Sequence, residues 1–529
     1  MIENNKKTIL WIDDEIELLK PHIILLNQRG YEVDTCTNGS DAIELVKEKP
    51  YNLVFLDEMM LGMSGLETLA AIKDYDPNLP VVMVTKNEEE TLMEEAIGRK
   101  ISDYLTKPVN PAQVLAVCKK FIDASRISKE VFTQDYITGF AQISSQLFTQ
   151  MNWTEWDNIY RKLVAWSLEI DKLEDGGLKE TLQGKWIECN QEFSRFVELN
   201  YKKWIDYPDA ERNEENPIMS PHILDNYLLP ILKEQSEHIY LIVIDCMRYD
   251  QWLVMQEMLY PFFNIKTDLY CSILPTATPY ARNAIFAGLY PIEIKEHYPQ
   301  YWTVNSNTED HKQNAYEKEL LEQWLTRRRM SHKDKMTFIK IFDTEFGKKV
   351  EREFDKYMKN QLTAIVVNAV DMIAHSRSDH AILKEIAPDE SAYRSLTKSW
   401  FTYSSLYNML KIIATQKDAK VIITTDHGSI RCLRGVKVLG DKETSTNLRY
   451  KFGKNVNSAP KSSLQLENLA DFKLPKAGLS VNNLIAKEDY YFVYPTDFHH
   501  YMTKFRDSFQ HGGISLEEMM IPVIELESK

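Results

Sequence analysis

The run IYLIVIDCMRYDQW, residues 239–252, decides the fold of the larger part of the chain. Its opening stretch is apolar without interruption and stops at Asp245. A strand covered on both faces of a parallel sheet needs such a continuous run, whereas a half-exposed strand alternates. TAIVVNAVD (363–371) and KVIITTDHG (420–428) repeat the pattern, each running into an aspartate, and MIPVIEL (520–526) adds a further strand. In an open α/β sheet the ligand site lies outside the carboxyl ends of the strands. Asp245, Asp371 and Asp426 can therefore converge although they are far apart in sequence. Two polar stretches, Gln300 to Lys335 and Lys442 to Ser480, are expected to be loops or lids over a sheet edge.

Working outward toward the N-terminus, the proline-bearing passage DYPDAERNEENPIMSP suits a junction. Before it, segments such as WTEWDNIYRKLVAWSLEI and WIECNQEFSRFVELNYKKWI place apolar residues at helical spacing, with almost no strand-like runs. A small helical bundle is expected here, with a long helical linker as the alternative. Earlier still, TILWI, NLVFL and VVMVT are of strand length and alternate with helical patterns, which calls for βαβ units and a parallel sheet. The chain thus divides into residues 1–122, 123–205 and 206–529. A length of 529 residues suits such a division, at roughly 100–200 residues per domain.

Composition narrows the classes. With 44% hydrophobic and 27% charged residues the chain reads as an ordinary globular protein. No apolar run reaches the roughly 18 residues of a membrane span, and the N-terminus has no signal-peptide stretch. Cys36, Cys118, Cys189, Cys246, Cys271 and Cys432 are scattered without a C-x-x-C pair, against a disulfide framework or thiolate zinc site. A cytoplasmic location without membrane insertion is expected. The formal charge of −15 argues against broad nucleic-acid binding, and no basic recognition helix stands out for a DNA-binding regulator.

Asp13 and Asp14 end the first strand run and Asp57 ends the second, so three carboxylates at adjacent strand ends offer an oxygen-rich pocket for Mg²⁺. Thr85 closes the next strand, and Tyr104 and Lys107-Pro108 follow. Taken singly, each is an ordinary turn, cap or strand end. In this order and spacing they resemble the flavodoxin-like receiver domain of response regulators. The resemblance implies that a histidine kinase phosphorylates Asp57, that Asp13, Asp14 and Asp57 hold Mg²⁺, and that Thr85 and Lys107 contact the phosphoryl group. Tyr104 would be the aromatic switch. Leu61 stands where the family usually has proline.

The second constellation comprises Asp245, the turn-and-helix stretch PTATPYARNAIFAGLYP (275–291), Asp371-Met-Ile-Ala-His375, Asp426-His427-Gly428 and His511. Phosphoester hydrolysis near neutral pH benefits from two metal ions about 4 Å apart. Asp with neutral His suits zinc or manganese, and a threonine hydroxyl beside such ions becomes a nucleophile. Alone, each part has a plain reading as a turn, a helical surface pair or a loop histidine. Together they resemble the alkaline phosphatase superfamily, in particular its PglZ branch. The resemblance implies a large α/β domain with a mainly parallel sheet and two Zn²⁺ (or Mn²⁺). Asp371, His375 and His511 would hold one ion, and Asp245, Asp426 and His427 the other, beside the nucleophile. Counting back ten positions from Gly288, as in related nucleotide phosphodiesterases, gives Thr278 as the nucleophile, with Thr276 as the alternative. Many relatives carry glycine after the first aspartate, where this chain has Cys246.

Arg282 and Asn283, within a turn of Thr278, are candidates for phosphate contacts. Arg449, Lys451 and Lys454 sit among aromatic residues and suit a nucleotide phosphate and base. Arg327, Arg328 and Arg329 read instead as a solvated loop. The whole architecture resembles the PorX-type regulators of Bacteroidetes. That resemblance implies control of type IX secretion, a partner histidine kinase, a sigma factor or secretion component as a further partner, and homodimerisation on phosphorylation. The expected function is phosphodiester hydrolysis of short or cyclic nucleotides. The alternative is a binding-only regulator whose metal site is structural.

Overall fold

Uninterrupted apolar runs become the inner strands of two sheets, and the chain divides accordingly into two compact units, Met1–Ala141 and Gln142–Lys529. The computed structural model describes residues 7–86, 101–173, 175–207, 216–234, 238–303, 314–330, 336–440, 447–476 and 481–529. Among them no helix is long and apolar enough to cross a membrane.

In the first unit, β1 (Lys7–Ile12), β2 (Tyr31–Cys36), β3 (Leu53–Asp57), β4 (Val81–Thr85) and β5 (Asp103–Thr106) pair in parallel in the order 2-1-3-4-5. This is the flavodoxin-like order, whose switch point lies between β1 and β3. Its two faces bury separate apolar clusters, around Trp11 and Phe55 on one side and Leu10 and Leu56 on the other. Gly65 begins the helix Gly65–Tyr75, where a side chain would collide with the Asp57 carbonyl and the Glu58 backbone. Only glycine lets this loop close over the end of β3.

The second unit is built on β6 (Ile239–Ile244), β7 (Phe263–Cys271), β8 (Met336–Ile341), β9 (Leu362–Val367) and β10 (Lys420–Thr424). Smaller strands follow: β11 (Ile430–Cys432), β12 (Arg434–Lys437), β13 (Tyr450–Lys454), β14 (Ser463–Leu466), β15 (Val481–Ala486), β16 (Tyr490–Val493) and β17 (Ser508–Gln510). The last strand, β18 (Met520–Ser528), returns to the main sheet. That sheet has the order 7-18-10-6-9-8, in which strands 7, 10, 6, 9 and 8 share one direction and strand 18 alone runs antiparallel to them. It is thus mixed. Its parallel centre is the part that positions the site.

The two polar stretches expected to be loops are partly regular. The helix Glu317–Arg327 lies within the first and buries Leu320, Leu321, Trp324 and Leu325 in the main core. Its end fits against Gly288, whose left-handed backbone (φ 58°) closes the helix Thr278–Ala287. The arginines expected to be a solvated loop close this helix instead, with Arg327 donating to the Ala287 carbonyl and Arg328 to Asp225. The second stretch contributes β13 and β14, which pair with β15.

Between the sheets in sequence lie three helices, Ala124–Gln146, Trp153–Leu173 and Gly176–Asp206. The last two pack through aromatic rings, Trp153 on Trp204 (centroids 5.9 Å) and Trp156 on Phe193 (5.3 Å). Such ring pairs combine apolar burial with a preferred edge-to-face geometry.

Candidate functional site

Asp13 and Asp57 are buried at the ends of β1 and β3, while Asp14 is exposed. Their carboxylates and that of Asp14 offer three oxygens lying within 4.8 Å of one another. Lys107 bridges two of them, its Nζ 2.8 Å from Asp13 Oδ2 and 3.0 Å from Asp57 Oδ2. Burial raises the pKa of Asp57, as do the charges of Asp13 and Asp14, and Lys107 offsets only part of this. A divalent cation would relieve that repulsion. Thr85 points its hydroxyl at Glu58, a partner with no signal in the sequence beyond its place after Asp57. Tyr104 is 45% exposed.

The second site grows from three adjacent strands. β10, β6 and β9 are parallel neighbours, so their carboxyl ends open on one side of the sheet. Asp245 follows β6 directly, and Asp426 and His427 lie just beyond β10. After β9 the chain turns into the helix Ala369–Asp379, where Asp371 and His375 share a face at i, i+4. His511 arrives from elsewhere in the sequence, carried in by β17, which pairs with β11 just after His427-Gly428.

All six proposed metal ligands come together as two groups, Asp371–His375–His511 and Asp245–Asp426–His427, each with ligand atoms within 4.8 Å of one another. The groups meet where the rings of His427 and His511 stack, with centroids 4.2 Å apart. Asp371 Oδ1 lies 3.3 Å from His375 Nε2 and 3.6 Å from His511 Nε2. Asp371 Oδ1 is buried and accepts no hydrogen bond among the described residues. Leaving a buried carboxylate oxygen so is costly unless a cation completes it. His427 points Nδ1 at the Gly428 carbonyl, 3.0 Å away, which leaves Nε2 as the lone-pair donor facing the group. Burial lowers the pKa of His427 and keeps the ring neutral, as a ligand must be. Burial raises the pKa of Asp245. The donor set therefore fits two divalent ions of the zinc or manganese type.

Thr278 begins the helix Thr278–Ala287, with Oγ1 3.0 Å from His427 Nε2 and 3.4 Å from Asp245 Oδ1. Thr276 is turned away. Its Oγ1 donates to the Gly513 carbonyl (2.8 Å) and accepts from the Gly512 N–H (3.1 Å). Cys246 adopts a left-handed backbone (φ 64°), which explains why glycine suits this position. Its N–H donates to Asp426 Oδ1 at 3.3 Å.

The expected substrate contacts need revision. Arg282 is fully buried among carboxylates: Nη2 donates to Asp245 Oδ2 at 2.7 Å, Nη1 donates to Asn368 Oδ1 at 3.2 Å, and Nε lies 3.1 Å from Asp426 Oδ2 and 3.3 Å from Glu317 Oε1. Asn283 donates back along its helix to the Pro279 carbonyl at 2.8 Å. Arg449 is buried against Glu518, with Nη2 2.6 Å from Oε2, and also donates to the Tyr490 carbonyl. These three hold the scaffold in the structure. Glu317, Lys340 and Glu518, which anchor this network, were not singled out from the sequence because nothing local marks a distant ion-pair partner. Lys451 is buried over the Tyr494 ring (4.6 Å), and burial lowers its pKa to about 7. The side chain of Lys454 lies outside the described residues.

Comparison with known proteins follows the same divisions. Residues 9–119 match the response regulator receiver domain, 126–205 the PorX response regulator linker domain, and 223–526 the BREX system PglZ alkaline phosphatase-like domain. The transcriptional regulatory protein ZraR of Klebsiella oxytoca is 32% identical over 135 residues, 26% of this chain and 30% of its own length. A CpxR homolog of Haemophilus influenzae is 35% identical over 119 residues, 22% of this chain and 51% of its own. The chain thus spans about a third to a half of these curated relatives. Among solved structures, chemotaxis protein CheY4 of Vibrio cholerae matches 22% of this chain and 99% of its own at 24% identity, with a TM-score of 0.22. With the PglZ match spanning more than half of its residues, behind a receiver and a PorX-type linker, the chain belongs to the PglZ alkaline phosphatase-like family and is built as a PorX-type response regulator.

Proposed function

We propose that this response regulator is a metal-dependent phosphodiesterase acting on short or cyclic nucleotides, with Thr278 as its nucleophile. One observation carries the reading: a threonine hydroxyl at a helix N-terminus stands 3.0 Å from His427, where two Asp/His groups meet. Asp371, His375 and His511 would hold one ion, and Asp245, Asp426 and His427 the other. When bound, such ions supply Lewis acidity, charge neutralisation and a lowered pKa for a neighbouring hydroxyl. The chain supplies the rest. The helix Thr278–Ala287 presents the positive end of its dipole to a phosphoryl group. Thr278 Oγ1 forms the bond to phosphorus as the ester oxygen departs with a proton. Water then cleaves the phosphothreonine and restores the hydroxyl.

A diester is favoured over a monoester by charge. The buried Arg282 is committed to Asp245, Asp426 and Glu317, so it has little to offer the second negative charge of a monoester. In the N-terminal unit, a histidine kinase would phosphorylate Asp57 and thereby drive homodimerisation. As in the PorX-type regulators that the chain resembles, the output would be control of type IX secretion, with a sigma factor or secretion component as a partner. Purified chain loaded with zinc or manganese is to be assayed on bis(p-nitrophenyl) phosphate, p-nitrophenyl phosphate, and cyclic and linear dinucleotides. Turnover of diesters well above the monoester supports the reading. Full metal occupancy without turnover supports a binding-only regulator.

A further inference from the structure

The helix Gly176–Asp206 belongs to the linker match, outside the stretch matched by the catalytic family, yet its side chains hold both loops that carry reacting groups. Asn190, Ser194, Val197 and Tyr201 recur at helical spacing and form one buried stripe. At one end of the stripe, Tyr201 is 1% exposed and its hydroxyl oxygen accepts the Leu274 N–H at 2.8 Å. Leu274 opens the loop that leads through Pro275 to Thr278. At the other end, Asn190 Oδ1 accepts the Leu516 N–H at 2.8 Å, and its Nδ2 donates to Glu517 Oε2 at 2.9 Å. Between them Ser194 Oγ donates to the Ile514 carbonyl at 3.4 Å. Residues 514–517 continue the segment that begins at His511. Thr276 ties the two loops to each other through Gly512 and Gly513. A buried backbone N–H that loses its acceptor is costly, so each contact fixes where its loop runs.

We propose that Tyr201 and Asn190 are positioning residues for the hydrolase site, supplied by the linker, and that they act on different halves of it. Tyr201 sets the approach of Thr278, and Asn190 sets the placement of His511. The inference rests on the proposed hydrolase reading. It makes the linker a working part of the site, so that any displacement of this helix is transmitted to both loops.

The two roles separate experimentally in the full-length chain. Tyr201→Phe keeps the ring and removes only the hydroxyl. It is expected to lower kcat by about tenfold or more, because an ångström of misplacement costs on the order of 10²-fold, with KM and zinc affinity unchanged and only a small fall in melting midpoint from the unpaired Leu274 N–H. Asn190→Ala is expected to weaken zinc binding by about tenfold, as loss of a ligand's outer support does, with kcat at saturating zinc near that of the parent. Affinity is read by competition with a chromogenic chelator, and Asn190→Ser serves if the alanine variant does not fold. Unchanged kcat in Tyr201→Phe, unchanged zinc affinity in the Asn190 variants, or a joint fall of every parameter with the melting midpoint would overturn the proposal. Should the parent chain turn over no phosphoester, the hydrolase reading fails, and the zinc titration still decides the role of Asn190.

Discussion

The Thr276 hydroxyl bonds to Gly512 and Gly513, while the Thr278 hydroxyl faces His427, so two threonines separated by one residue are put to different uses. Thr276→Val should therefore cost stability, about 1–3 kcal/mol for two buried backbone groups left without partners, as read by denaturant unfolding. Lys451 makes a second residue-scale claim. Burial lowers its pKa to about 7, so the folded chain holds fewer protons than the unfolded one between pH 7 and 10.5. Stability from this group must then rise with pH across that window, by at most about 1.4 kcal/mol per pH unit. In Lys451→Met the rise should disappear; an unchanged pH profile would show that the amine is charged in the fold. Residue type and order along the chain singled out Asp13, Asp14 and Asp57 and the six proposed metal ligands, and the fold brings each set together. Arg282 and Arg449 were misjudged because an arginine near a site looks the same whether it meets a substrate or a carboxylate from another element.

At the scale of elements, the sequence revealed strands in proportion to their burial. β6 and β9 are buried at every position and stand out as apolar runs. β7 and β8 lie at the two edges of the same sheet, alternate with polar residues, and escaped notice. β13, whose residues Tyr-Lys-Phe-Gly-Lys read as a basic loop, is too short and mixed to show a period. The joint that brings His511 to His427 is the β11–β17 pair, entered through Gly428. A side chain at Gly428 would run into the Glu517 carbonyl. Gly428→Ala should accordingly push the two loops apart and lower both the melting temperature and zinc affinity. A variant with wild-type metal binding would show that this approach is not required.

For the whole molecule, the division into a receiver, helices and a hydrolase-like domain was readable because each part has its own periodicity. The boundary of the compact units was not, since it falls inside the helix Ala124–Gln146, which no local signal interrupts. Phosphorylation supplies the molecular-scale prediction. With Mg²⁺ and beryllofluoride as the acyl phosphate mimic, the parent chain should shift from monomer toward dimer in sedimentation velocity, and Asp57→Ala should stay monomeric. Dimerisation of Asp57→Ala under the same conditions would detach assembly from the receiver.

The central claim is that metal ions and Thr278 act together on a phosphodiester. It is tested most directly by turnover of bis(p-nitrophenyl) phosphate by zinc-loaded parent and Thr278→Val, with zinc content measured on the same samples. The account predicts two bound ions in the parent and a loss of about 10³-fold or more in kcat for the variant. Equal turnover by both, at equal zinc content, would contradict it.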